Sequence, residues 1–102
     1  MLNPAIQIDL DRLRSICRKY GVAELDVFGS ATRDDFGPES DIDVLVEFTD
    51  RSKVTWDTYF DLKFELEELF GRHVDLVDGR EAILNPIRRR VILQSLERLY
   101  AA

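Results

Sequence analysis

The sequence predicts an α+β domain, a small mixed β-sheet packed against helices in the order helix, strand, strand, helix, strand, helix. Three observations carry this. Apolar residues recur at steps of three and four in two stretches that end at Gly21 and Gly71, the period of a helix face closed by a residue that tolerates left-handed backbone. Ile42–Phe48 is rich in β-branched residues, the composition of a strand. Asn85-Pro86 reads as the cap and first turn of a last helix. With 102 residues, the chain 1–102 is expected to be one small domain, large enough for a two-layer core but not for a separate substrate domain. A partner is therefore expected to complete the site.

Across residues 5–20, Ile6, Leu10, Leu13, Cys17 and Tyr20 form one stripe that Ile16 widens. Asp9 and Asp11 come early and Arg18 and Lys19 late, which suits the helix dipole. Residues 25–28 form a short apolar strand ending at Gly29, and Ile42–Phe48 a longer one. The polar connection between them contains a Gly37-Pro38 turn. A single helical turn over 32–36 would set Gly29-Ser30 at a strand-to-helix junction. Residues 49–53 read as a charged loop. Thr55 is a fair N-cap for a helix running to Phe70. Residues 73–77 alternate as a third strand, Val74 and Leu76 to one side and Asp75 to the other. The last helix is expected to run through Ile87, Val91, Leu96 and Leu99.

Composition narrows the function. Hydrophobic and charged fractions of 45% and 33% are ordinary for a globular protein, and no apolar run reaches a membrane span. No basic-then-apolar leader is visible at the N-terminus. A formal charge of -6 argues against broad nucleic-acid binding; Arg88-Arg89-Arg90 is the basic patch that could still contact one partner, with a solvated helix face as the preferred reading. The single cysteine, Cys17, excludes an internal disulfide and fits a reducing cytoplasm; on its apolar stripe it reads as a small core residue.

The chemistry lies between Phe28 and Phe48. Gly29-Ser30, a ten-residue gap, then Asp41-x-Asp43 is a pattern expected by chance in about one chain in a thousand of this length. Gly29 permits close approach of backbone to phosphate, and the following amides with the Ser30 hydroxyl can cradle phosphate oxygens. Arg33 can pair with a phosphate, or equally with Asp34 or Asp35. Asp41 and Asp43, at i and i+2, would point to one face, leaving Ile42 to the core. With Asp75 they make a hard-oxygen set suited to divalent ions. Two ions about 3.5 to 4 Å apart answer the main difficulty of nucleotidyl transfer, crowded negative charge. Asp34, Asp35, Glu65, Glu67, Glu68, Asp78 and His73 read as surface residues.

These residues resemble the minimal nucleotidyltransferases of the polymerase-beta-like superfamily, whose signature is Gly-Ser, a gap, Asp-x-Asp and a third acid. Val27-Phe28-Gly29-Ser30, Arg33, Ser40 to Val46, the helix from Tyr59 to Arg72, Val74-Asp75-Leu76-Val77 and Asn85-Pro86-Ile87-Arg88 all take part. The resemblance implies that fold, with Gly29 and Ser30 holding the triphosphate, Asp41 and Asp43 holding metals, and Asp75 as third acid. It further implies the antitoxin half of a two-gene module: a magnesium-dependent enzyme that transfers AMP from ATP to a tyrosine of an all-helical HEPN ribonuclease toxin. Two alternatives stay open, an antitoxin that masks its toxin by binding alone and a transferase acting on a small molecule. Ala31 stands where many members carry a basic residue, and Asp34 where many carry glycine.

Overall fold

The computed structural model describes residues 6–29, 37, 40–79 and 84–102. In chain order these form α1 (Leu10–Lys19), β1 (Val22–Phe28), β2 (Ile42–Phe48), a 3-10 turn (Arg51–Lys53), α2 (Trp56–Phe70), β3 (Val74–Asp78), α3 (Pro86–Gln94) and β4 (Glu97–Ala101). The sheet order is β3-β2-β1-β4. β1 runs antiparallel to both β2 and β4, while β2 and β3 are parallel, so the sheet is mixed, as expected.

Local chemistry sets the helix ends. α1 begins later than the apolar spacing implies, because Asp9 accepts hydrogen bonds from the amides of Asp11 and Arg12 at 3.0 and 3.2 Å and so caps the helix at Leu10. Ile6 and Ile8 still pack against the core, from outside the helix. Thr55 caps α2 through a capping box with Thr58, and Gly71 closes it at φ 69°. Asn85 accepts the Ile87 amide at 3.1 Å, fixing the start of α3. The expected helical turn at 32–36 lies outside the described residues.

Two further expectations are corrected. The first strand starts at Val22, with a register irregularity between Val22 and Glu24. The last helix stops at Gln94; Leu96 follows it and Leu99 belongs to β4. The Leu96 and Leu99 spacing suits a helix, but β1 has a second edge whose backbone groups need partners, and β4 supplies them. Leu99 reaches the core from that strand.

The main core lies between α1, α2 and one face of the sheet. Leu13, Cys17, Leu62 and Leu66 meet Leu25, Val27, Ile42, Val44, Val46 and Val74, all fully buried. Cys17 is a core residue as expected, and burial pushes its thiol pKa up to about 12. α3 covers part of the opposite face, where Ile92 packs with Phe28, Val77 and Leu45. Alternation in β2 thus sends Ile42 to the main core and Asp43 to the opposite face.

That opposite face also holds Asp26, an acid the sequence reading did not single out. Asp26 is 3% exposed and accepts from Arg98 Nε at 3.0 Å, while Arg98 Nη2 reaches Glu24 at 3.1 Å. Burial outweighs Arg98 and raises the Asp26 pKa. A carboxyl with a raised native pKa binds more protons folded than unfolded, so stability falls as pH rises from the ordinary carboxylate value through the raised one. Urea melts taken upward in pH from the ordinary carboxylate range, about pH 4, are expected to show this fall in the native chain, relative to Asp26→Asn. Equal pH dependence in the two would show that Asp26 titrates normally.

Candidate active site

The hairpin β1–β2 and the parallel pair β2–β3 bring four of the six anticipated site residues to one end of the sheet. Phe28 pairs with Asp43 across β1 and β2, so Gly29 follows directly beside Asp43. On the other side Asp43 pairs with Asp75, and partners in adjacent strands share a face at a spacing of about 4.8 Å. Asp41 lies one residue ahead of β2. Ser30 and Arg33 lie outside the described residues, as do Ala31, Asp34 and Asp35.

Gly29 fits its place for two reasons. Its φ of 67° is the left-handed conformation that glycine accepts without strain. A Cβ there would also stand 2.5 Å from Asp43 Oδ2, so the missing side chain leaves the space that the carboxylate occupies.

Asp41 is held by different means. The Ile42 amide donates to the His73 carbonyl at 3.0 Å, extending the β2–β3 pairing by one step. Arg72 Nη1 donates to the carbonyls of Gly37 and Ser40 at 2.9 and 3.0 Å, tying the approach to Asp41 to the base of β3. Asp41 Oδ2 lies 3.4 Å from His73 Nδ1. His73 is largely exposed, as expected, but it stands against the site.

The donor chemistry fits a hard divalent ion, since the three site acids offer only carboxylate oxygen. The backbone gathers their positions, yet among the described residues no three acidic, histidine or cysteine side chains are drawn into one metal-holding group. Strand pairing fixes Asp43 opposite Asp75, whereas Asp41 precedes the strand and its side chain is turned to His73. Like charges one strand spacing apart also disfavour closer approach.

Several supports of this corner were not anticipated. The Gly29 amide donates to Ser95 Oγ at 2.8 Å, at the junction of α3 and β4. Glu67, expected on the surface, accepts the Val74 amide at 3.1 Å and so fixes the start of β3. Glu65 pairs with Lys19, Glu68 with Arg12 and Asp78 with Arg51, in keeping with surface charges. No local signal marks Ser95, because its partner is remote in sequence. Ser95→Ala is expected to lower stability by about 1 kcal/mol and Ser95→Thr to retain most of it, read as urea midpoints; an unchanged midpoint in the alanine variant would make the bond incidental.

Comparison with known proteins defines the class. A nucleotidyltransferase domain model matches residues 10–99, and the chain belongs to that family. A protein of Methanocaldococcus jannaschii, provisionally named a protein adenylyltransferase, is 36% identical over 78 residues, covering 76% of this chain and 77% of the relative. A solved structure provisionally named a minimal nucleotidyltransferase is 34% identical, with a TM-score of 0.65 over 89% of this chain and 96% of that one. The nucleotidyltransferase fold implied by the sequence resemblance is therefore borne out. A complex of a tri-AMPylated Shewanella oneidensis HEPN toxin with its MNT antitoxin shares the fold, with a TM-score of 0.63 at 20% identity over 91% of this chain and 70% of that one. No helix among the described residues is long and apolar enough to cross a membrane.

Proposed function

We propose that this chain is an antitoxin that transfers AMP from ATP to a tyrosine hydroxyl of a HEPN-type ribonuclease toxin and thereby silences it. The observation that carries the reading is the direct pairing of Asp43 with Asp75 beside the left-handed Gly29, in a family whose relatives include named adenylyltransferases. Gly29 and Ser30 hold the triphosphate, and Arg33 pairs with one of its oxygens. Asp41, Asp43 and Asp75 would hold two Mg2+ ions, which supply charge neutralisation for an in-line displacement.

The chain's own residues then have defined tasks. Asp43, fixed between β1 and β3, sets the position of the α-phosphate relative to the Gly29 turn. The tyrosine oxygen forms a bond to the α-phosphorus as the bond from that phosphorus to the bridging oxygen breaks, and pyrophosphate leaves. In this reading Asp75, which is solvent-exposed on its strand, takes the tyrosine proton. The toxin, in the same reading, brings its own acceptor tyrosine to the site. The cytoplasm, where ATP and the toxin would be encountered, is the proposed location.

The test combines the purified chain, labelled ATP, Mg2+ and the cognate toxin. Label on a toxin tyrosine with loss of RNase activity is the expected result. An inhibited but unlabelled toxin would replace transfer by masking, and label on neither toxin nor chain without inhibition would end the antitoxin reading.

A further inference from the structure

α2 turns Leu62 and Leu66 to the core. Its outer face should then be polar, yet it carries Trp56, Phe60 and Phe64 at successive helical turns. They are 77%, 46% and 62% exposed. Trp56 and Phe60 stack on one another, with ring centroids 6.1 Å apart and an interplanar angle of 26°. Aromatic side chains of this size present roughly 400 Å² in total, a patch of the extent that marks an interaction surface and about half of one partner's share in a standard interface.

The charges around the stripe select the occupant. Asp57, Asp61 and Glu68 are exposed and interleaved with the aromatics. Glu68 is engaged by Arg12, whereas Asp57 and Asp61 make no ion pair among the described residues. α2 holds five acids, Asp57, Asp61, Glu65, Glu67 and Glu68, against one base, Lys63. A second copy laid on this face would set acid against acid between chains of formal charge -6, which disfavours self-pairing. A surface with arginines or lysines suits it instead: cations stack on the rings and pair with the adjacent carboxylates.

We infer that the exposed face of α2, formed by Trp56, Phe60, Phe64, Asp57 and Asp61, docks a basic, apolar surface of the toxin. The identity of the partner rests on the proposed function; the chemistry of the surface does not. Because α2 covers the face of the sheet opposite to Asp43 and Asp75, docking and transfer occupy different faces. Loss of the stripe therefore weakens capture of the toxin without altering the site acids.

The experiment measures binding of the purified cognate toxin to the native chain, to a Trp56→Ala, Phe60→Ala, Phe64→Ala variant, and to an Asp57→Lys, Asp61→Lys variant. Thermal melts accompany each, since exposed positions should leave the fold intact. The aromatic variant is expected to raise Kd about 30-fold or more. The charge variant should raise Kd and weaken its dependence on salt. Labelling assays should show a raised KM for toxin with kcat retained at saturation. A native chain that labels the toxin while both variants bind it with unchanged Kd overturns this inference alone. A native chain that does not bind the toxin overturns it together with the proposed function. A native dimer that the aromatic variant dissolves would assign the face to self-pairing instead.

Discussion

Asp43→Asn is expected to lower nucleotidyl transfer by about a thousandfold or more, roughly 4 kcal/mol of lost transition-state stabilisation, while leaving the fold as stable as the native chain or slightly stabler. Asp43 lies between Phe28 and Asp75 in neighbouring strands, so the change removes a like-charge cross-strand pair at a cost in hydrogen bonding that asparagine can largely meet. Cross-strand pairs of this kind contribute about 0.2 to 1 kcal/mol, which sets the scale of the stability change. Mg2+ should raise the Tm of the native chain and raise that of the variant less. An unfolded Asp43→Asn protein would make this carboxylate a structural group. Full transfer by a folded variant would remove it from the chemistry.

Gly29→Ala should damage both fold and transfer. An alanine at φ 67° carries a left-handed strain of about 1 to 2 kcal/mol, and its Cβ would meet Asp43 Oδ2 at 2.5 Å. Either the turn or the carboxylate must move. Gly71→Ala supplies the control, because Gly71 has nearly the same φ, 69°, and a Cβ there would meet nothing within 4 Å. Both variants are expected to lose stability through strain, as read by urea melts. Only Gly29→Ala should also lose transfer, by about a hundredfold. Similar activity in the two would show that the contact with Asp43 has no catalytic consequence.

What the sequence makes legible, and what it hides, follows from the range of the forces involved. The cap at Thr55, the left-handed stop at Gly71 and the start of α3 at Asn85-Pro86 are decided within a few residues, and each appears where the sequence places it. The Gly29, Asp43 and Asp75 positions are likewise readable, because a glycine ending one strand and acids near the starts of two others need only the right pairing to meet. β4 was hidden because Leu96 and Leu99 also satisfy a helical spacing, and the free edge of β1 that selects a strand is not visible nearby in sequence. With β4 misassigned, Arg98 could not be set against Asp26, nor Ser95 against Gly29. Side-chain direction is a further step beyond backbone position, as the turn of Asp41 toward His73 shows.

The two halves of the catalytic corner differ in how they come together. Gly29 and Asp43 are joined by a hairpin, a short closure, whereas Asp75 reaches Asp43 only after the chain has passed through all of α2, a longer closure with a greater entropic toll. Leu62 and Leu66 of α2 share the main core with Val74 and Leu76 of β3, packing that adds to the strand pairing in holding β3 beside β2. Loosening that packing would help part Asp75 from Asp43 while the hairpin stays zipped. On warming, the enzyme should therefore fall silent at a temperature below its global melt.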